Sequence, residues 1–338
     1  MSRWTFQVLV VLILLLVESV AQPALSHVKD DPAGLDLFEK GRSAFKAKRY
    51  KEAQTILLKA ARLASRNISV EYYLGIAAAA NKDLALLERA MSRIVAMTPE
   101  KSEASRRALS VLHRYSSLTP YSAVAVSGSV TRFNRDDMPI KIHITNGKML
   151  PEKYKGSNIN ERLYVPELTK LANDPNFYRQ LQIDPAFNAT CAASVVAGVK
   201  RWDWAVKEKI LNYTFVDSPV IADVVVLWLP KFKDSAVKAF TAYLDGGASS
   251  DKKILVQFTT GDIPREIFPQ WLALSACHEF GHCWGLSSHS PNRRDVMTGE
   301  LQWGWTRAGQ AFLPAMPFTQ NDKQTLRALY DLTPDSYR

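Results

Sequence analysis

From Leu35 to Ser117 apolar residues recur every three or four positions among Ala, Leu, Lys, Arg and Glu, the period of an amphipathic helix. The segment repeats itself. Gly41 and Gly75 are 34 residues apart, as are Ala44 and Ala78, and Ser65 and Pro99. Leu37, Gly41, Ala44, Ala53, Leu57 and Ala60 put mostly small side chains where paired helices must approach closely. An unrelated helical bundle would show the same periodicity. Residues 118–137 interrupt it with Pro, Ser and Gly and are expected to form a linker or a first hairpin. Beyond them the pattern mixes. Met138–Thr145, Ala222–Leu229 and Lys253–Thr259 predict strands, and Ala186–Lys209 predicts one long helix. Gln270–Trp284 predicts a helix ended by Gly285, and Thr319–Tyr330 one capped by Thr319 with Asp322 in its first turn. The chain is thus multi-domain: an all-α repeat module over 35–117, then an α/β or α+β part over 138–332.

Chemistry concentrates in one segment, His278-Glu279-Phe280-Gly281-His282 to His289. Residues four apart stand on one face of a helix, so His278 and His282 can offer two imidazoles to one tetrahedral zinc. Glu279, rotated about 100° from His278, reaches the open side of such an ion. There a carboxylate can take a proton from water during attack on a carbonyl and return it to the leaving amine. Gly285 allows the left-handed turn that throws the chain back. His289 then supplies a third nitrogen, and three of the six histidines fall within twelve residues. Neutral Ser288 is a poor competitor for the ion.

The N-terminus and the charge narrow the setting. Arg3, an apolar run over Val8–Val17 and the small residues of Ser19-Val20-Ala21 predict a signal peptide over 1–21 and an exported protein. A membrane tether requires that segment to stay uncleaved. The net charge is +10, and residues 35–117 carry 16 basic against 8 acidic side chains. These cations are scattered along helical sequence, which reads as a solvated surface and not as a nucleic-acid site. Three cysteines, Cys191, Cys277 and Cys283, make no disulfide framework and are expected to be buried thiols. Asp245-Gly246-Gly247 could contribute to a Ca2+ site, but its acidic ligands are few, and a plain turn is the simpler reading. There is no Gly-rich phosphate loop and no Gly-x-Ser-x-Gly elbow, so neither nucleotide nor serine-hydrolase chemistry is indicated.

Two resemblances follow from these residues. GRSAFKAKRYKEAQTILLKAARLA resembles a tetratricopeptide repeat, and YYLGIAAAANKDLALLERAMSRIVAMTP matches it less well, with Leu87 where Ala is usual. The run HEFGHCWGLSSHSPNRRDVM is similar to the zinc helix and Met-turn of the metzincin peptidases, nearest their matrixin-like branch. FTQNDKQTLRALYDL is similar to that family's closing helix. The resemblance implies a mixed, mostly parallel twisted sheet, one catalytic Zn2+ on His278, His282 and His289, and Glu279 as general base. Met297 would form the apolar floor under the ligands, and Ile254–Thr259 the edge strand that receives substrate. The family's spacing puts the third ligand at Ser288. Here it falls one residue later, and the count of eight from His289 to Met297 keeps the matrixin spacing. No propeptide cysteine switch is present, and Met297 is followed by Thr298 and Gly299 in place of Tyr-Pro.

The expected function is therefore an exported zinc-dependent endopeptidase acting on protein or peptide substrates. A partner protein would bind at the helical repeats. The alternative is a binding protein that joins such repeats to a metzincin-like fold and cleaves nothing, or cleaves only when a partner activates it. Trp303 and Trp305, just beyond the Met-turn, are candidate specificity-pocket residues.

Overall fold

A computed structural model describes residues 31–124, 128–154, 165–234, 236–244, 253–261, 263–301 and 303–337. The expected signal segment 1–21 and the Asp245-Gly246-Gly247 turn lie outside them. Among the described residues no helix is long and apolar enough to cross a membrane.

Five helices open the described chain: α1 (Pro32–Lys46), α2 (Tyr50–Leu63), α3 (Ile68–Ala80), α4 (Leu84–Met97) and α5 (Glu103–Tyr115). The first four form two helical hairpins whose turns are copies at a spacing of 34. In the first, Ala47, Lys48 and Arg49 donate to the carbonyls of Ser43, Phe45 and Ala44; in the second, Asn81, Lys82 and Asp83 donate to those of Ala77, Ala79 and Ala78. Lys48 and Lys82 hold the same left-handed conformation, φ 61° and 63°. The repeated glycines have one job. A Cβ on Gly41 would stand 2.7 Å from Leu57, and one on Gly75 would stand 2.2 Å from Met91, itself 34 residues beyond Leu57.

The second half is a five-stranded sheet in the order β3 (Tyr213–Phe215), β2 (Ile140–Met149), β4 (Val224–Leu229), β6 (Lys253–Thr259), β5 (Ala239–Leu244). The first four are parallel, and β5 runs antiparallel to β6. The sheet is mixed and mostly parallel, as expected. Strand alternation divides its two faces. Val224, Val226, Trp228, Ile254, Val256 and Phe258 face a core shared with α8 (Ala189–Lys200) and α10 (Phe268–Trp284). Val225, Leu227 and Leu255 face a second core under α6 (Val165–Ala172) and α7 (Pro175–Gln180). The α8 and α10 backbones nearly touch, since a Cβ on Gly198 would lie 2.3 Å from the Ala273 carbonyl.

Three expectations need correction. Ile254–Thr259 is not the edge strand: β6 lies between β4 and β5, and the edge facing the site is Ala239–Leu244. The long helix over 186–209 is two, α8 and α9 (Asp203–Lys207). The break comes where Arg201 and Trp202 donate to carbonyls three residues back, dropping the fully buried Trp202 indole beneath α10, where its Nε1 donates to the Cys277 carbonyl at 2.9 Å. Nor do the described residues of 118–137 form a loose connector. Tyr121, Ser122, Ala123, Val124 and Val130 are buried, and Thr131–Arg132 (β1) pairs in parallel with Ser336–Tyr337 (β7).

This buried segment explains how the halves join. Ala123 donates to the Ala96 carbonyl at the end of α4 and accepts from the Ser287 amide of the loop after α10. Beyond it, α4 packs on α11 (Gln320–Asp331), and one apolar core runs through Leu87, Met91 and Ile94 into the sheet and α10. A buried ion pair, Arg66–Asp335 at 2.9 Å, and the Ser65–Thr333 hydroxyl pair at 2.7 Å tie the chain's last residues to the turn between α2 and α3.

Candidate active site

Helix α10 positions the first two imidazoles and ends where the third must return. Gly285 caps it at φ 113°, a conformation that favours glycine, and a Cβ there would also meet the Thr131 carbonyl at 2.7 Å. The chain then doubles back, and His289 comes level with the helix. Ring centroids of His278 and His282 are 4.9 Å apart, those of His278 and His289 5.2 Å, and those of His282 and His289 5.0 Å. One ligand atom from each lies within 4.8 Å of the other two. His289, not Ser288, is thus the third imidazole brought to the cluster that His278 and His282 begin.

The rings are oriented by backbone. His278 Nδ1 lies 2.9 Å from the Val296 carbonyl and His282 Nδ1 2.6 Å from the Leu286 carbonyl. A carbonyl only accepts, so each Nδ1 carries the proton and each Nε2 keeps a lone pair. Burial lowers the pKa of His278, and desolvation together with neighbouring His278 lowers that of His289, so both favour the neutral form that ligates. Three ring nitrogens around one point, two of the rings with their tautomers fixed by carbonyls, suit Zn2+.

The Val296 carbonyl is itself held. Asp295 and Asp322, both fully buried, fasten the loop over 290–298. Asp295 accepts from Ser290 Oγ at 2.6 Å and Thr319 Oγ1 at 2.7 Å. Asp322 accepts the Val296 amide at 3.1 and 3.2 Å and the Tyr121 hydroxyl at 2.9 Å, and closes a capping box with Thr319, the expected N-cap. Met297 is fully buried under α10 against Gly281.

Glu279 is nearly buried, and burial pushes its carboxyl up to about 7, opposed in part by a hydrogen bond from Thr241 on β5. That hydroxyl is 2.6 Å from Glu279 Oε2. Glu279 and the three histidines line one cleft of about 610 Å³, walled by Lys238–Thr241 on one side and by Thr298–Leu301 on the other. An acid that titrates near neutrality beside three imidazoles can exchange protons with water in this cleft. Trp305 is largely exposed and Trp303 packs partly against the core; neither lines the cleft. Among the described residues His143 stands apart, its Nδ1 2.9 Å from the Val216 carbonyl, and all three cysteines are buried free thiols.

Sequence reasoning missed Thr241. It lies on a strand whose two faces are both largely apolar, so no alternation marks it. No model of a known protein family matches the chain, and no curated protein matches it.

Proposed function

We propose that the chain is an exported zinc-dependent endopeptidase of metzincin type, with His278, His282 and His289 holding one Zn2+ and Glu279 acting as general base. The observation that carries the reading is the convergence of three imidazoles from α10 and its return loop beside a buried carboxylate in one cleft. When bound, the ion supplies Lewis acidity, polarising a carbonyl and making water acidic near pH 7. The chain's own residues do the rest. The cleft takes an extended peptide alongside β5, whose outer edge pairs with no strand among the described residues. Glu279 takes a proton from water as the scissile carbonyl is attacked, then delivers it to the leaving amine.

The helical half supports a tetratricopeptide-like reading through its two copied turns and its glycines at matched positions. No residue of α3 is fully exposed and α4 packs on α11, so a protein partner would meet the surface of α1 and α2.

A casein digest tests the activity. The zinc-loaded protein should cleave and Glu279→Ala should not, while holding near one zinc per chain. Equal cleavage by Glu279→Ala contradicts the mechanism.

A further inference from the structure

Strand β5 alternates in what its side chains meet. Phe240, Ala242 and Leu244 face the core under α6 and α7, whereas Ala239, Thr241 and Tyr243 face α10. Two of the latter reach the helix through hydroxyls. Tyr243 Oη donates to the His282 carbonyl at 3.0 Å, so the strand is fixed against the turn that carries the second imidazole. Thr241 Oγ1 lies 2.6 Å from Glu279 Oε2 and 3.3 Å from the Glu279 carbonyl. A hydroxyl has one proton to give, and the shorter contact, to the side-chain oxygen, takes it.

Thr241 is thus the one donor to this carboxylate among the described residues, and it binds only one of the two oxygens. Its β-branched side chain has restricted χ1 freedom, and its backbone is locked by the antiparallel register with Val256. The hydroxyl is therefore a fixed point against which the carboxylate is oriented. Because Thr241 also walls the cleft, the link joins the substrate-facing strand directly to Glu279.

The geometry points to Thr241 as a positioning residue that pins Glu279 Oε2 to the edge strand and presents Oε1 to the water in the cleft. The assignment rests on the proposed role of Glu279 as base. Without the hydroxyl the carboxylate rotates about its last torsion, which is soft for a terminal carboxyl, and the productive orientation becomes one of several. The effect should fall on the proton-transfer step and not on substrate affinity, since no peptide contact is removed.

The test compares wild type, Thr241→Val and Thr241→Ser as full-length zinc-loaded proteins, on a peptide substrate and in binding a peptide hydroxamate. Valine keeps the shape and removes the hydroxyl; serine restores it. Thr241→Val should lower kcat about 10–100-fold, the usual cost of losing a partner that orients a site residue. KM should stay within about threefold, zinc content at wild-type level, and Thr241→Ser should recover most of kcat. Hydroxamate affinity, which depends on the carboxylate's placement without turnover, should fall in Thr241→Val and recover in Thr241→Ser. Cleavage unchanged in Thr241→Val, or serine as impaired as valine, overturns the positioning role and leaves the peptidase reading intact. A wild type that binds hydroxamate through the hydroxyl-dependent carboxylate but cleaves nothing overturns the peptidase reading and keeps the positioning role. A wild type that neither binds nor cleaves overturns both.

Discussion

Met297 and Gly281 share a volume that one methyl group would overfill: a Cβ on Gly281 would stand 2.2 Å from Met297 Sδ and 3.3 Å from the Trp202 ring. Gly281 lies between Glu279 and His282 on α10, so the methionine floor lies directly below the ligand-bearing turn. Gly281→Ala must displace Met297 or lift the helix. Overpacking of this kind costs about 1–3 kcal/mol, despite the better helix propensity of alanine. We expect a lowered melting temperature together with weaker zinc binding, measured by thermal unfolding and competitive chelation. A variant as stable as wild type would show that the floor yields freely.

Asp322 governs His278 at one remove, because it holds the Val296 amide while the Val296 carbonyl orients the imidazole. Asp322→Ala leaves the buried Val296 amide and Tyr121 hydroxyl without this acceptor and removes half of the capping box. Each unsatisfied buried group costs about 1–3 kcal/mol. Zinc affinity should fall about 10–100-fold, as for other partners behind a ligand. Isothermal titration at a temperature where the variant is folded checks this, and undiminished affinity contradicts it.

Glu71 is fully buried on α3, 3.1 Å from Arg93, and burial pushes its carboxyl up to about 7 against the opposing charge of Arg93. The folded state therefore holds a proton that the unfolded state releases near pH 4.5. Between those two pH values stability falls as pH rises, by about 1.4 kcal/mol per pH unit from this group. Glu279 behaves in the same sense, so the contribution of Glu71 is read as a difference. From pH 4.5 to 7, urea unfolding of Glu71→Gln should lose about 3 kcal/mol less stability than wild type. Parallel pH profiles would contradict the assignment.

The helical half is not detachable. Leu87, Met91 and Ile94 of α4 belong to the same core as Trp202, Phe258 and Phe280, and Arg66 and Arg89 pair with Asp335 and Asp331. Deleting residues 31–117 would expose that core and strand a buried carboxylate. The remainder should lack near-ultraviolet circular dichroism and bind a hydrophobic dye. A native-like spectrum would show two independent folding units.

Much of the site is legible in the sequence because its logic is local. The four-residue spacing of His278 and His282, the glycine at 285 and the Thr319–Asp322 capping box are fixed by helix geometry within a few residues. Strands β4 and β6 are legible because continuous runs of Val, Leu and Ile fit a sheet covered on both faces. What escapes is what depends on distant partners. The edge strand holding Thr241 has largely apolar residues on both faces. Arg201–Trp202 breaks a helix only because α10 offers a carbonyl to the Trp202 indole. The segment over 120–124 is buried only because α4 and the Ser287 loop close over it.

The most direct test of the metal centre is equilibrium zinc binding by wild type, His289→Ala and Ser288→Ala. The wild-type and Ser288→Ala proteins should each bind one ion with matching affinity, and His289→Ala should bind at least 100-fold more weakly. Loss of zinc from Ser288→Ala with retention by His289→Ala, or no binding by wild type, would contradict the three-imidazole centre.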